Sequence, residues 1–255
     1  MWIINSSIGR KLLMSISGLG LLGFVLAHGT LNFVYLIDPL AYNWIAGSLL
    51  GANWWAIAAT MGLRAMFALH ILLALLLTLQ NWRARGTDRY AVSKRPKGVT
   101  WQSMNMLLIG IILMGFLGLH IYHFLIRMQI AEIGVYFFNA DKYAAFLGIP
   151  GAYYSVAADG SFWVNHWFSK WYICVLYLIF IGALWLHITH GMWSGMHSLG
   201  LSNNKWLPRI KVLSYIIGSL ACLLFAAIPI VYLISMIFGI EPTFLNFPQL
   251  FRMEG

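Results

Sequence analysis

Five long apolar runs govern what this chain can fold into. They cover about residues 12–37, 55–80, 104–126, 171–196 and 212–240. Each exceeds the roughly 20 residues that an α-helix needs to cross the hydrocarbon core of a bilayer. In lipid, every backbone N–H and C=O must be satisfied within its own segment or a closed barrel. A barrel would show short alternating segments of about ten residues, and none is present. The expected fold is therefore an all-α membrane protein, with five transmembrane helices forming a single domain over residues 1–255. Only 9% of the residues are charged, where a soluble domain carries about 25%.

The positive residues set the expected orientation. Arg10, Lys11, Arg83, Arg85, Arg89, Lys94, Arg95, Lys97, Lys205, Arg209 and Lys211 fall on one side of the runs. Arg127, Lys142, Lys170 and Arg252 fall on the other, and Arg64 lies within the second run. The basic side is cytoplasmic by the positive-inside rule, which puts the N-terminus inside and the C-terminus outside. The same asymmetry accounts for the net charge of +9 without nucleic acid. The loop 83–98 is basic enough to dock a cytoplasmic partner as well as to fix topology. The connections 38–53 and 128–168 are rich in aromatic residues and glycine, as expected of interfacial segments. The second is long enough to lid a site on the outer face. The run after Arg10-Lys11 is too long for a cleaved signal peptide. Cys174 and Cys222 are isolated within apolar runs, so the sequence offers no C-x-x-C, disulfide framework or iron–sulfur motif.

Four of the five runs carry a histidine deep inside: His28, His70, His120 and His187. An ionisable side chain at bilayer depth is costly and normally functional. A helix rises 1.5 Å per residue, so His28 and His120 each lie roughly 27 Å from the cytoplasmic ends of their spans. His70 and His187, on spans of opposite direction, each lie roughly 18 Å from that side. The histidines thus form two levels, each supplied by two different helices. Zinc needs a fuller donor set than two imidazoles. Haem already supplies four equatorial nitrogens and needs two axial ligands, and closed bis-histidine ligation suits electron transfer. The expected metal ligands are therefore His28 with His120, and His70 with His187, holding two haem b groups. Glycines near these positions, among them Gly18, Gly23, Gly29, Gly115, Gly118, Gly182 and Gly191, would give clearance for haem or serve helix packing. A proton relay or an interhelical hydrogen bond is the plainer role for any one buried histidine.

Three more residues are candidates for cofactor binding. His123 and His190 stand three residues after His120 and His187, on nearby helix faces; propionate contact, a quinone site and plain packing are all open to them. Arg64 lies roughly 27 Å from the cytoplasmic end of its span. A haem propionate or a quinone carbonyl would neutralise it there, and snorkelling to the interface is the alternative. His166 and His197 stand near span ends, where solvation is the default.

Several short stretches carry a resemblance: Ser6-Ser7-Ile8-Gly9-Arg10-Lys11, Ala27-His28-Gly29 with Asn32, Leu69-His70, Leu119-His120-Ile121-Tyr122, and His187-Ile188-Thr189-His190-Gly191-Met192-Trp193-Ser194. The last matches an H-x-x-x-G-[LM]-W pattern. Over about residues 5–240 the chain resembles the cytochrome b membrane anchor of succinate dehydrogenases and fumarate reductases, in the single-subunit, five-helix, di-haem branch. The resemblance implies a distal haem on His28 and His120, and a proximal haem on His70 and His187. It further implies an iron–sulfur subunit and a flavoprotein subunit with covalent FAD on the cytoplasmic face of a bacterial cytoplasmic membrane, and a quinone, menaquinone or a relative, near the distal haem. In that family a glutamate stands two residues before the ligand matching His187; here that position is Trp185. The family's acid near the outer end of the first connection has only Asp38 as a counterpart, at a different spacing. The direction of turnover, succinate oxidation or fumarate reduction, depends on potentials and is not written in the sequence. The rival readings are the cytochrome b anchor of a hydrogenase or formate dehydrogenase, and a haem-free transporter. A transporter predicts internal repeats and broken midplane helices.

Overall fold

A computed structural model of the chain describes residues 6–51, 53–85, 100–137 and 159–240. Among these residues the structure is helical throughout, with no strand. Five helices are long and apolar enough to cross a membrane. The first is α1, Ser7–Ile37. A short helix α2, Pro39–Asn43, runs into a π-helical segment, Trp44–Leu49. The second long helix is α3, Trp54–Arg85. The third begins as α4, Trp101–His120, continues as a π-helix, Ile121–Ile130, and ends as α5, Ala131–Phe137. Next come α6, Gly160–Phe168, the fourth long helix α7, Trp171–Ser198, and the fifth, α8, Trp206–Phe238.

The helix ends follow local chemistry. The first backbone N–H groups of a helix lack partners, and short polar side chains supply them. Ser6 Oγ accepts from Gly9 N at 2.9 Å, and Thr100 Oγ1 from Ser103 N at 3.1 Å. Asp38 Oδ1 accepts from Leu40 N and Ala41 N, with Pro39 in the first helical turn where its missing N–H costs nothing. Asn203 Oδ1 accepts from Lys205 N and Trp206 N, both at 3.0 Å. At the other ends, Gly200 (φ 77°) follows α7 and Gly239 (φ 63°) follows α8. Both take the left-handed conformation that closes a helix and is nearly free only for glycine.

The third span is longer than the sequence suggests. The apolar run fades near Ile126, but the helix continues past it, and the candidate span reaches Gly134. It therefore includes Glu132, which is 4% exposed. Glu132 stands near the end of that span, in α5 directly after the π-helical segment. Most of the basic loop 83–98, Lys142 and Arg252 lie outside the described residues.

Cα packing divides the chain into two compact units. One comprises Met1–Ala27, Met61–Leu113 and Gly182–Cys222; the other comprises His28–Thr60, Met114–Ile181 and Leu223–Gly255. In the first, Gly218 lets α8 approach α7 closely, since a Cβ there would stand 2.8 Å from Thr189 Cγ2. Trp185 Nε1 donates to Ser219 Oγ at 2.9 Å across the same pair of helices. In the second, the core gathers Tyr35, Tyr42, Val164, Phe168, Ile173, Cys174, Tyr177, Ile228 and Tyr232. Tyr232 donates to Asn165 Oδ1 at 3.2 Å, so Tyr35, 2.7 Å from the Tyr232 hydroxyl, donates to it. Asn43 and Asp159 tie α2 to α6: Asn43 Nδ2 donates to Asp159 Oδ1, and Ser161 N and Oγ donate to Asn43 Oδ1. Large apolar side chains such as Leu72, Ile111, Ile179, Ile216 and Leu223 stay exposed on the long helices, as lipid-facing surfaces do.

Candidate functional site

The four deep histidines meet in the two pairs expected from depth. In the second unit the rings of His28 (α1) and His120 (α4) have centroids 5.7 Å apart and planes at 76°. In the first unit the rings of His70 (α3) and His187 (α7) stand 6.2 Å apart at 72°. Two imidazoles bound to opposite sides of one metal, each through a bond of about 2 Å, have centroids about 6 Å apart. Both pairs fit that spacing. Among the described residues no group of three or more His, Cys, Asp or Glu is placed to hold a metal ion, so each pair offers two imidazoles and no fuller donor set.

His28 and His120 stand among aromatic rings. His120 closes α4, between Phe116 (5.9 Å), Phe124 (5.1 Å) and Tyr177 (6.3 Å). His28 packs on Phe225 at 5.4 Å. Gly29 makes that approach possible, since a Cβ there would lie 3.0 Å from Phe225 Cε2 and 3.3 Å from Leu224 Cβ. Nδ1 of His120 and Nδ1 of His187 are buried and have no hydrogen-bond partner among the described residues. A buried polar atom left so costs about 1–3 kcal/mol. The described residues leave this one nitrogen of each ring unsatisfied. Gly191 stands one turn after His187 on the same helix face, and a Cβ there would meet nothing within 4 Å. The H-x-x-x-G spacing thus leaves open space at that position, and a Cβ is equally unobstructed at Gly23, Gly115, Gly118 and Gly182.

His70 differs from the other three. Its Nδ1 lies 3.1 Å from Ser17 Oγ on α1. A Cβ on Gly18 would stand 3.1 Å from its Cε1.

The remaining candidates separate. His123 is 2% exposed. Its Nδ1 pairs with Tyr177 Oη at 3.0 Å and its ring stacks on Trp167 at 3.8 Å. Trp167 Nε1 donates to the His123 carbonyl at 3.0 Å. This is a fully built packing site. His190 pairs with Thr100 Oγ1 at 3.3 Å and meets the edge of Trp193. Lys211 Nζ lies 4.7 Å from the Trp193 ring, so His190 adjoins a cation. Arg64 is half-buried, with Nη1 3.3 Å from Met61 Sδ one turn away. It belongs to the unit that holds His70 and His187. His166 sits on the exposed face of α6 with Nε2 3.3 Å from Lys170 Nζ. Partial desolvation lowers its pKa, and the charges of Lys170 and Arg127 lower it further. His197 pairs with Ser202 Oγ after α7.

Sequence reasoning missed Ser17, Tyr177 and Trp167. Each acts on a histidine 44 to 54 residues away, and no local spacing signals such a pairing. Comparison with models of protein families, with curated proteins and with solved structures finds no match to this chain.

Proposed function

We propose that this chain is the di-haem cytochrome b anchor of a succinate:quinone oxidoreductase. The observation that carries the reading is the pair of histidine pairs. Each draws on two helices and each has the spacing expected of two axial ligands, and His28 and His120 are packed among aromatic rings. His28 and His120 would hold one haem b, and His70 and His187 the other. A low-spin bis-histidine haem supplies one-electron transfer without opening its iron to substrate. The protein's own contribution is to fix the four imidazoles on helices and to surround His28 and His120 with Phe116, Phe124, Phe225 and Tyr177. That shell keeps water from the His28–His120 pair and limits reorganisation there when charge changes.

On this reading the dicarboxylate chemistry belongs to a flavoprotein subunit carrying FAD. An iron–sulfur subunit joins it to the basic cytoplasmic side of this chain. A quinone, menaquinone by resemblance, exchanges electrons in the membrane. The location is a bacterial cytoplasmic membrane with the N-terminus inside. Arg64 and His190 are the side chains most suited to a propionate or a quinone carbonyl, because each adds a donor or a nearby cation to an apolar surround. His123 serves as packing.

The test is a reduced-minus-oxidised spectrum of the purified protein with a haem assay. Low-spin b-type bands at two haems per chain support the reading, and co-purification of an iron–sulfur protein and a flavoprotein supports the assignment to this enzyme class. A correctly folded, colourless protein refutes it.

A further inference from the structure

Two adjacent residues on α1 contact the His70 ring, and neither belongs to a histidine pair. Ser17 is 3% exposed. Its Oγ lies 3.0 Å from the Met14 carbonyl, to which it donates, and 3.1 Å from His70 Nδ1. A hydroxyl has one proton. With that proton on the Met14 carbonyl, the Ser17 oxygen can only accept from His70, so His70 carries its proton on Nδ1. Gly18 completes the arrangement: any side chain there would begin 3.1 Å from His70 Cε1, tighter than ordinary contact. Nothing comparable holds the partner ring, since His187 Nδ1 is buried without a hydrogen bond among the described residues.

We propose that Ser17 and Gly18 form a seat on α1 that fixes the tautomer of His70, with Ser17 accepting the Nδ1–H so that Nε2 is the ligating nitrogen. Ser17 is a positioning residue. It acts through His70 and touches no reacting atom. A hydrogen bond to the far nitrogen of a ligating imidazole orients the ring and makes it a stronger donor, which favours the oxidised state of the bound metal. The device acts on His70, and so on one of the two redox groups. The inference rests on the functional reading above.

The experiment is an optical redox titration of the purified protein with a haem count, for wild type, Ser17→Ala, Ser17→Thr and Gly18→Ala. Ser17→Ala should keep two haems and shift one of the two midpoint potentials upward, leaving the other in place. Ser17→Thr, which retains the hydroxyl, should restore the wild-type value. Gly18→Ala, which crowds Cε1, should disturb the same haem, seen as a changed low-spin signal in electron paramagnetic resonance. Loss of that one haem in Ser17→Ala with its retention in Ser17→Thr would equally support the seat. Two haems with both potentials unchanged in Ser17→Ala, or both shifted alike, would overturn it. A wild-type protein without haem would instead overturn the functional reading beneath it.

Discussion

The imidazole rings of His28 and His120, 92 residues apart in the chain, face each other at 5.7 Å with their planes nearly perpendicular. Neither ring is replaceable as an axial ligand by its neighbours, which are Phe116, Phe124, Phe225 and Tyr177. On the proposed function, His120→Ala should therefore lower the haem content from two per chain to one. The remaining haem should keep the spectrum assigned to His70 and His187, and His187→Ala should give the complementary loss. Haem quantification together with low-temperature spectra of both variants checks this. Loss of both haems from a monodisperse, folded His120→Ala protein would break the pairing.

The pairing was legible because helix rise is constant: counting 1.5 Å per residue from basic span ends puts His28 with His120 and His70 with His187. The five spans were legible because lipid leaves the backbone no alternative to helix. What stayed hidden depends on side chains meeting across long sequence separations. Ser17 reads locally as a small residue in a helix and acts on His70. His123 reads as open to a propionate, a quinone or plain packing, and Trp167 and Tyr177 enclose it. The π-helical turn after His120 widens the helix without any proline or glycine to announce it. The tie between Asn43 and Asp159 joins two short helices whose composition gives no sign of a partner.

Gly218 tests the packing of the helix that carries His187. A Cβ at this position would stand 2.8 Å from Thr189 Cγ2 and 3.4 Å from Ile188 Cγ2. Gly218→Val should overpack the α7–α8 contact and destabilise the protein by about 1–3 kcal/mol. Gly23→Ala is the control, since a Cβ there meets nothing within 4 Å; it should be neutral or gain up to about 1 kcal/mol of helix propensity. Thermal unfolding in detergent, followed by circular dichroism, should rank the variants in that order.

His166 gives a pH dependence whose sign is fixed. Desolvation first, and then Lys170 and Arg127, lower its folded pKa below the ordinary imidazole value of 6.5. The unfolded chain therefore binds the proton more readily, and stability falls as pH drops from 6.5 through the folded pKa. Above 6.5 both states are neutral and the effect is absent. The groups around the imidazole are Phe162, Trp163, Trp167 and Lys170, with Arg127 over the indole rings of Trp163 and Trp167. His166→Gln should flatten this part of the melting-temperature profile below pH 6.5 and leave the profile above it unchanged. A parallel offset at every pH would mean that the ring acts by packing alone.

Trp185 decides how charge is balanced. It stands where the resembling family carries a glutamate two residues before a haem ligand. Here the indole donates to Ser219 Oγ at 2.9 Å and packs on Tyr215 at 5.9 Å. A neutral ring engaged in this way holds no proton to pass along the bundle. The acids among the described residues do not replace it. Asp38 and Asp159 cap α2 and α6, and Glu132 lies where the third span ends. On the proposed function, electrons enter from a cytoplasmic partner and leave to quinone across the membrane. Without a compensating proton route each electron moved is charge moved, at about 2.3 kcal/mol per 100 mV. Turnover should then respond to membrane potential: the potential should drive succinate oxidation by a low-potential quinone, and fumarate reduction should generate it. Proteoliposomes containing the whole complex and a potential-sensitive dye, assayed with and without uncoupler, read this directly. A dye signal that appears with quinol and fumarate and collapses with uncoupler is the expected result. Turnover that neither builds nor feels a potential would show that protons accompany the electrons by a route that does not need an acid at position 185.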